Sequence, residues 1–173
     1  MNATPRRPRL ARTTIGPSVN ASPLPPRFAG PTIGLVVVDH GSRRDESNRR
    51  HEEAVAAWRR HSGFPIVEPA HMEFAEPSVG SAFDACVAAG ASTVVVAPYF
   101  LGPGRHWDRD VPALAADAAA RHSGVRYLVS APLGPHEVLM RLLELRVAHC
   151  LGRASGDLPE CESCGGTSRC SLR

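Results

Sequence analysis

The chain has 173 residues, 43% hydrophobic and 21% charged, with a net charge of +3; that is room for one ordinary domain with a tail at each end. Residues 1–31 carry five arginines and no acid, so the remainder of the chain sums to −2, which is no footprint of nucleic-acid binding. The longest apolar run falls far short of a membrane span, and five cysteines, an odd number without a secretory signal, argue for a reducing compartment rather than a disulfide framework.

The first segment, residues 1–31, holds seven prolines, several Ser and Thr, and neither helical nor strand periodicity. Such a composition cannot bury enough apolar surface to offset the entropy of ordering. Arg-rich and acid-free at the extreme N-terminus, it has the make-up of an organellar transit peptide, a plain disordered extension being the alternative. The folded part is expected to begin near Thr32.

Four strand–helix units follow. Residues 32–38 read as a valine-rich strand buried on both faces, the kind found in parallel sheets, ending abruptly in Asp39-His40-Gly41-Ser42. A helix is predicted over 45–62, with Ala54, Val55, Ala57 and Trp58 as its apolar stripe and Gly63 as its stop. A second strand spans 66–72. Glu76-Pro77-Ser78 then opens a helix with proline in its first turn, Val79, Phe83, Cys86 and Val87 sharing one face. The third strand covers 92–100, the third helix 108–122 and the fourth strand 125–131. The last helix, 136–150, is amphipathic through Val138, Leu139, Leu142, Leu143, Leu145 and Val147. This alternation predicts an α/β domain over residues 32–151, with a four-stranded, mainly parallel sheet flanked by helices, and a cysteine-rich tail over 152–173. No P-loop and no G-x-G-x-x-G follows the first strand, so a nucleotide is not indicated.

Parallel strands present their carboxyl ends on one edge, where open α/β sheets bind ligands. His40 follows strand one, Glu73 strand two and His106 strand three, within Gly102-Pro103-Gly104-Arg105-His106. The three side chains are therefore expected to meet in one crevice. Two imidazoles and a carboxylate suit Fe2+, Co2+, Ni2+ or Zn2+ and leave positions open for a substrate. Arg43, Arg44 and Arg105 flank the histidines and can hold carboxylates bidentately. Glu76 competes with Glu73 for the acidic role. His71, within its strand, and His136, at a helix start, are weaker candidates. In the tail, Cys161, Cys164 and Cys170 form C-x2-C-x5-C, a spacing that wraps one metal ion or cluster, with Cys150 available as a fourth ligand. The His-Gly after strand one also occurs in histidine phosphatases, but Asp39 stands where an arginine would precede that histidine.

The stretches DHGSR with Asn48 downstream, MEFAEPSV, VVVAPYFLGPGRH followed by Asp110-Val111-Pro112, and APLGPH resemble the sirohydrochlorin chelatase family, class II metal chelatases of sirohaem and cobalamin synthesis. The resemblance covers roughly Thr32 to Leu151. It implies a lyase that inserts Fe2+ into sirohydrochlorin, with His40, His106 and Glu73 at the metal-insertion site and Ser42, Arg43 and Arg105 as contacts for a macrocycle rich in carboxylates. Cobalt insertion, or an iron-binding and delivery module without turnover, are the alternatives. The tail resembles the extension of plant and algal chloroplast members that bind a [2Fe–2S] cluster; zinc is the other occupant considered. Together with the N-terminal composition it points to the plastid stroma, with the cytoplasm as the alternative. Longer members build their cleft from two such units in one chain, so a chain of this size is expected to form a homodimer across the open edge of the site. Neither a nucleic acid nor a membrane is expected as a partner.

Overall fold

In the computed structural model the described residues are 32–161, 163–165 and 167. The N-terminal segment with its transit-peptide reading and Cys170 lie outside the described residues.

The valine-rich run forms an inner strand, β1 (Ile33–Asp39), buried up to its last residue. It pairs in parallel with β2 (Ile66–His71) on one side and β3 (Thr93–Pro98) on the other. β4 (Arg126–Val129) pairs in parallel with β3, giving the order β2-β1-β3-β4. Four helices complete the α/β unit: α1 (Asp45–Ser62), α2 (Val79–Ala88), α3 (Val111–Ala119) and α4 (Glu137–Ala154). Alternation along β1 divides the core. Leu35 and Val37 pack with Val55 of α1 and Val67, whereas Val36 and Val38 join Phe83 of α2, Val96 and Val111 on the other face. Full burial of each such side chain contributes roughly 1.5–3 kcal/mol. Gly34 lets α2 lie close, for a Cβ there would stand 2.8 Å from Cys86 Cβ. Burial pushes the Cys86 thiol up to about 12, which leaves it a packing residue and not a metal ligand.

Several element ends depart from the sequence-based expectation: β3 and β4 each stop two residues short, at Pro98 and Val129, and α3 stops at Ala119 instead of 122; three other departures bear more on the packing and the site. Ser78 is the N-cap of α2, its hydroxyl accepting from Ser81 N–H at 3.3 Å, so Pro77 precedes the cap instead of occupying the first turn. The third helix begins earlier, with a π-helical turn over His106–Asp110, before Val111 continues as α-helix with proline in its first turn. The last helix runs on to Ala154, and its apolar stripe is uncovered. Val138, Leu142, Leu143, Leu145 and Val147 are exposed, as are Tyr127 and Leu128 on β4, and α4 packs extensively against none of the other elements. Among the described residues no helix is long and apolar enough to cross a membrane.

Two carboxylates, exposed Glu76 and half-buried Asp84, fasten α2. Glu76 accepts from the Ser81 hydroxyl and from Ser78 N–H, both at 2.7 Å, and these bonds hold it below its ordinary value of 4.5. Asp84 accepts from His122 Nε2 at 2.6 Å and from Arg121 at 2.8 Å, tying α2 to the end of α3 and holding that carboxyl below 3.8. A depressed carboxylate contributes stability that is in place above its unfolded-state pKa and is lost as the pH falls through its folded-state value. Glu76→Gln should therefore lower the melting temperature at neutral pH, with the gap to the parent protein narrowing below pH 4.5. Thermal melts across pH measure this; a gap independent of pH contradicts it.

Candidate functional site

The ladder between β1 and β2 runs past the formal strand ends. Met72 N–H donates to Asp39 O and Glu73 N–H to His40 O, both at 3.0 Å, which brings the Glu73 peptide level with His40. Gly41 has φ +81, and a Cβ there would lie 1.9 Å from Glu73 O, so only glycine allows the two loops to close. Asp39 organises the turn from which His40 projects. Its Oδ1 accepts from Gly41 N–H at 2.9 Å and from His71 Nδ1 at 2.6 Å. His71, the register partner of Asp39, is fully buried; its Nε2 has no hydrogen-bond partner among the described residues, Glu52 Oε1 lying 3.6 Å away. His51 of α1 is buried beside it, donating from Nε2 to Val37 O at 3.0 Å, with Nδ1 3.8 Å from Asp39 Oδ2. Buried Asn48 clamps Ser42 from both sides, accepting from Ser42 N–H at 2.9 Å and donating to Ser42 O at 2.8 Å. The Ser42 hydroxyl accepts from Arg44 N–H at 3.1 Å.

His40 and His106 face one another with ring centroids 5.0 Å apart and planes at 69°. His40 Nδ1 lies 3.1 Å from Gly41 O. A carbonyl only accepts, so Nδ1 carries the proton and Nε2 keeps its lone pair. The same logic holds for His106, whose Nδ1 donates to Asp110 Oδ2 at 2.8 Å. Both rings thus offer Nε2 as an acceptor or ligand. An imidazole bound at about 2.0–2.1 Å has its centroid about 3.2 Å from the ion, so two rings sharing one ion at roughly 90–110° lie about 4.5–5.2 Å apart. The observed spacing falls in that range. The π-helical turn sets His106, and Trp107 Nε1–H, bonded to Ser130 O at 2.9 Å, fastens that turn to the end of β4.

The other predicted residues are distributed as follows. Glu73 is exposed beside His40, but among the described residues no three His, Cys, Asp or Glu side chains converge to hold a metal ion. The Glu76 carboxylate is occupied by the α2 cap, and His136 caps α4, its Nδ1 accepting from Val138 N–H. The Arg43 guanidinium lies 5.1 Å from the centre of the Phe74 ring, and Arg105 Nε is 3.9 Å from Asp110 Oδ2. Phe74 has φ +67, and Ala75 N–H donates to Glu73 O at 2.9 Å, closing a γ-turn around it. That turn is rare and strained, at a cost on the order of 1–3 kcal/mol. In the tail, Cys164 N–H and Gly165 N–H both donate to Cys161 O, at 3.2 and 2.9 Å, while Cys150 lies on α4. The pairing of Asp110 with His106 is absent from the sequence-based expectation, although their i, i+4 spacing is a usable signal. The His51–Asp39–His71 group and the conformation of Phe74 are likewise unforeseen, for nothing in the sequence marks them.

Residues 34–150 match the CbiX family model. Over 139 residues the chain is 55% identical to "Sirohydrochlorin ferrochelatase, chloroplastic" of Arabidopsis thaliana, covering 80% of this chain and 62% of that protein. The sirohydrochlorin chelatase SirB from Bacillus subtilis subspecies spizizenii, solved in complex with cobalt, aligns with a TM-score of 0.63 at 28% identity, over 68% of this chain and 50% of that one. The "Putative cobalamin (vitamin B12) biosynthesis CbiX protein" from Marinobacter aquaeolei VT8 aligns with a TM-score of 0.61 at 27% identity, over 70% of this chain and 98% of that one. The chain therefore spans 62% of the Arabidopsis protein and half of the Bacillus one, but nearly all of the Marinobacter protein. With the match running from β1 through most of α4, and the same parallel sheet beneath it, the chain belongs to the CbiX family of sirohydrochlorin chelatases.

Proposed function

We propose that the chain is a sirohydrochlorin ferrochelatase, a lyase in the sense of metal chelation, exchanging Fe2+ for the two pyrrole protons of sirohydrochlorin to give sirohaem. The observation that carries this reading is the facing pair of imidazoles, 5.0 Å apart, each with its Nδ1 proton engaged and Nε2 available. In the proposed reaction His40 and His106 replace water on the incoming ion and hold it against the ring. As the ion moves from the two imidazoles to the four macrocycle nitrogens, the two pyrrole N–H bonds break, and the two protons pass to the Nε2 atoms that the ion vacates and on to solvent. Asp110, accepting from Nδ1, holds the His106 ring in the orientation and tautomer that leave Nε2 for the ion. Glu73, exposed at the rim, is a carboxylate for ion entry or proton exit. Arg43 and Arg105, both exposed, reach for macrocycle carboxylates, and Ser42 retains its hydroxyl proton to donate. Iron as the substrate metal is supported by the name of the Arabidopsis relative. Cobalt insertion is the second reading, favoured by the cobalt-bound Bacillus relative, and imidazole ligands do not by themselves separate the two ions.

Anaerobic mixing of the protein with sirohydrochlorin and Fe2+ or Co2+, followed by tetrapyrrole absorption, tests the reading. His40→Ala and His106→Ala should each slow insertion by about 100-fold or more, and Asp110→Asn should raise the metal concentration needed by about 10-fold or more. Wild-type rates in both histidine variants would remove the site assignment. A parent protein no faster than the spontaneous reaction would leave an iron-binding module, and faster turnover of Co2+ would move the assignment to cobalt.

The same reading includes a homodimer, a cluster on the tail and a plastid location. One four-stranded unit offers only part of the broad cleft a macrocycle needs. The uncovered stripe on α4, where Leu143 is 59% exposed, together with Tyr127 and Leu128, is an apolar surface suited to a second copy. Cys161 and Cys164 share one turn closed by backbone N–H bonds to Cys161 O, which suits adjacent thiolate ligands. With Cys170 and Cys150 they make a set of four for a [2Fe–2S] cluster, whose chemistry when bound is one-electron transfer; zinc is the alternative occupant. The composition of residues 1–31 and the chloroplastic relative support a transit peptide and the plastid. Light scattering should give twice the chain mass for the full chain and one chain mass for Leu143→Glu. The same sample, reconstituted anaerobically with iron and sulfide, should gain visible absorption that Cys161→Ser loses. A fully active monomer contradicts the dimer, and a colourless zinc-loaded tail contradicts the cluster.

A further inference from the structure

Phe74 combines three features that core packing does not explain. Its backbone is left-handed at φ +67, a region that bulky residues rarely adopt. The γ-turn that imposes this places the phenyl outward, 54% exposed. It also sets the ring 6.0 Å from the His40 imidazole and beneath the Arg43 guanidinium, 5.1 Å from the ring centre. Phe74 follows β2, the edge strand opposite β4, so it stands apart from the apolar β4 edge at Tyr127 and Leu128. Strain kept at one exposed aromatic beside two free imidazole nitrogens points to a ligand with a flat face. Resting on the ferrochelatase reading, we propose that Phe74 is a substrate-binding residue: its phenyl stacks on the conjugated macrocycle as the ring centre meets His40 and His106, while Arg43, held over that phenyl, takes one of the macrocycle's carboxylates. Aromatic rings associate in offset or edge-on arrangements at centroid separations of about 4.5–7 Å, so a macrocycle reaching the histidine pair comes within stacking distance of Phe74.

The test is a titration of the full-length chain with metal-free sirohydrochlorin, read by tetrapyrrole absorption, using Phe74→Ala, Phe74→Leu and Phe74→Tyr. Co2+ binding and mass by light scattering are measured on the same samples. Phe74→Ala should weaken macrocycle binding about 10-fold, Phe74→Leu nearly as much, and Phe74→Tyr less than about twofold. Co2+ affinity and mass should stay at the parent values, and in the insertion assay KM for the macrocycle should rise with kcat unchanged. Parent-like binding by the Ala or the Leu variant overturns the proposal, as does a loss shared by Co2+ binding or accompanied by a change in mass. If the parent binds the macrocycle and the Ala variant binds it equally well, only this inference falls. If the parent does not bind it, the ferrochelatase reading falls and this inference with it.

Discussion

The geometry of the site depends on one hydrogen-bonded carboxylate, Asp39. Its position is fixed by pairing: β1 and β2 end in register, which sets Asp39 against His71 at 2.6 Å. The same Oδ1 takes Gly41 N–H, so the turn carrying His40 is fastened to the deepest polar group of the sheet. A buried charge-assisted bond of this kind is costly to leave half made. Losing Asp39 would free the His40 turn and leave His71 Nδ1 unpaired in the core, and losing His71 would remove the buried partner that positions Asp39. The Gly41–Glu73 approach and the Asn48 clamp on Ser42 restrain the same few residues from two further directions.

His106 is held by independent means. Its imidazole is oriented by Asp110 within its own π-helical turn, and Trp107 secures that turn to the end of β4. The two halves of the histidine pair are thus supported from opposite sides of β1, one through β2 and α1 and the other through β3 and β4. Rigid support matters because an ion shared between two imidazoles tolerates little change in their spacing. The strained turn at Phe74 belongs to the same edge, where the backbone leaves the ladder and side chains face outward.

Much of this was legible in the sequence, for a physical reason. Uninterrupted valine in β1 and β3 can be buried only in a two-sided parallel sheet, and parallel strands deliver their following residues to one edge. That argument brings His40 and His106 together without any knowledge of side-chain packing. The helix over 45–62 was equally plain, because Gly63 adopts the left-handed φ of +72 that ends it. Besides the left-handed conformation of Phe74, three things are not readable. Proline's preference for a first turn competes with serine's preference for a cap, and at Pro77-Ser78 the cap prevailed through the reach of Glu76. A π-helical turn has no periodic signature, so the sequence pattern starts the third helix two residues late. The Asp39–His71–His51 group depends on strand register and on how α1 lies over β1, neither of which a linear pattern encodes. The amphipathic pattern of α4 marks its apolar stripe, yet pattern alone does not say whether a helix covers its own sheet.

The central claim is that two imidazoles far apart in the chain hold one transition-metal ion. X-ray absorption at the cobalt edge of the Co2+-loaded full-length protein tests it most directly. Two imidazole nitrogens on the ion in the parent, and one in each of His40→Ala and His106→Ala, is the result the geometry requires. An ion carrying no imidazole, or a coordination shell unchanged by either substitution, would contradict it.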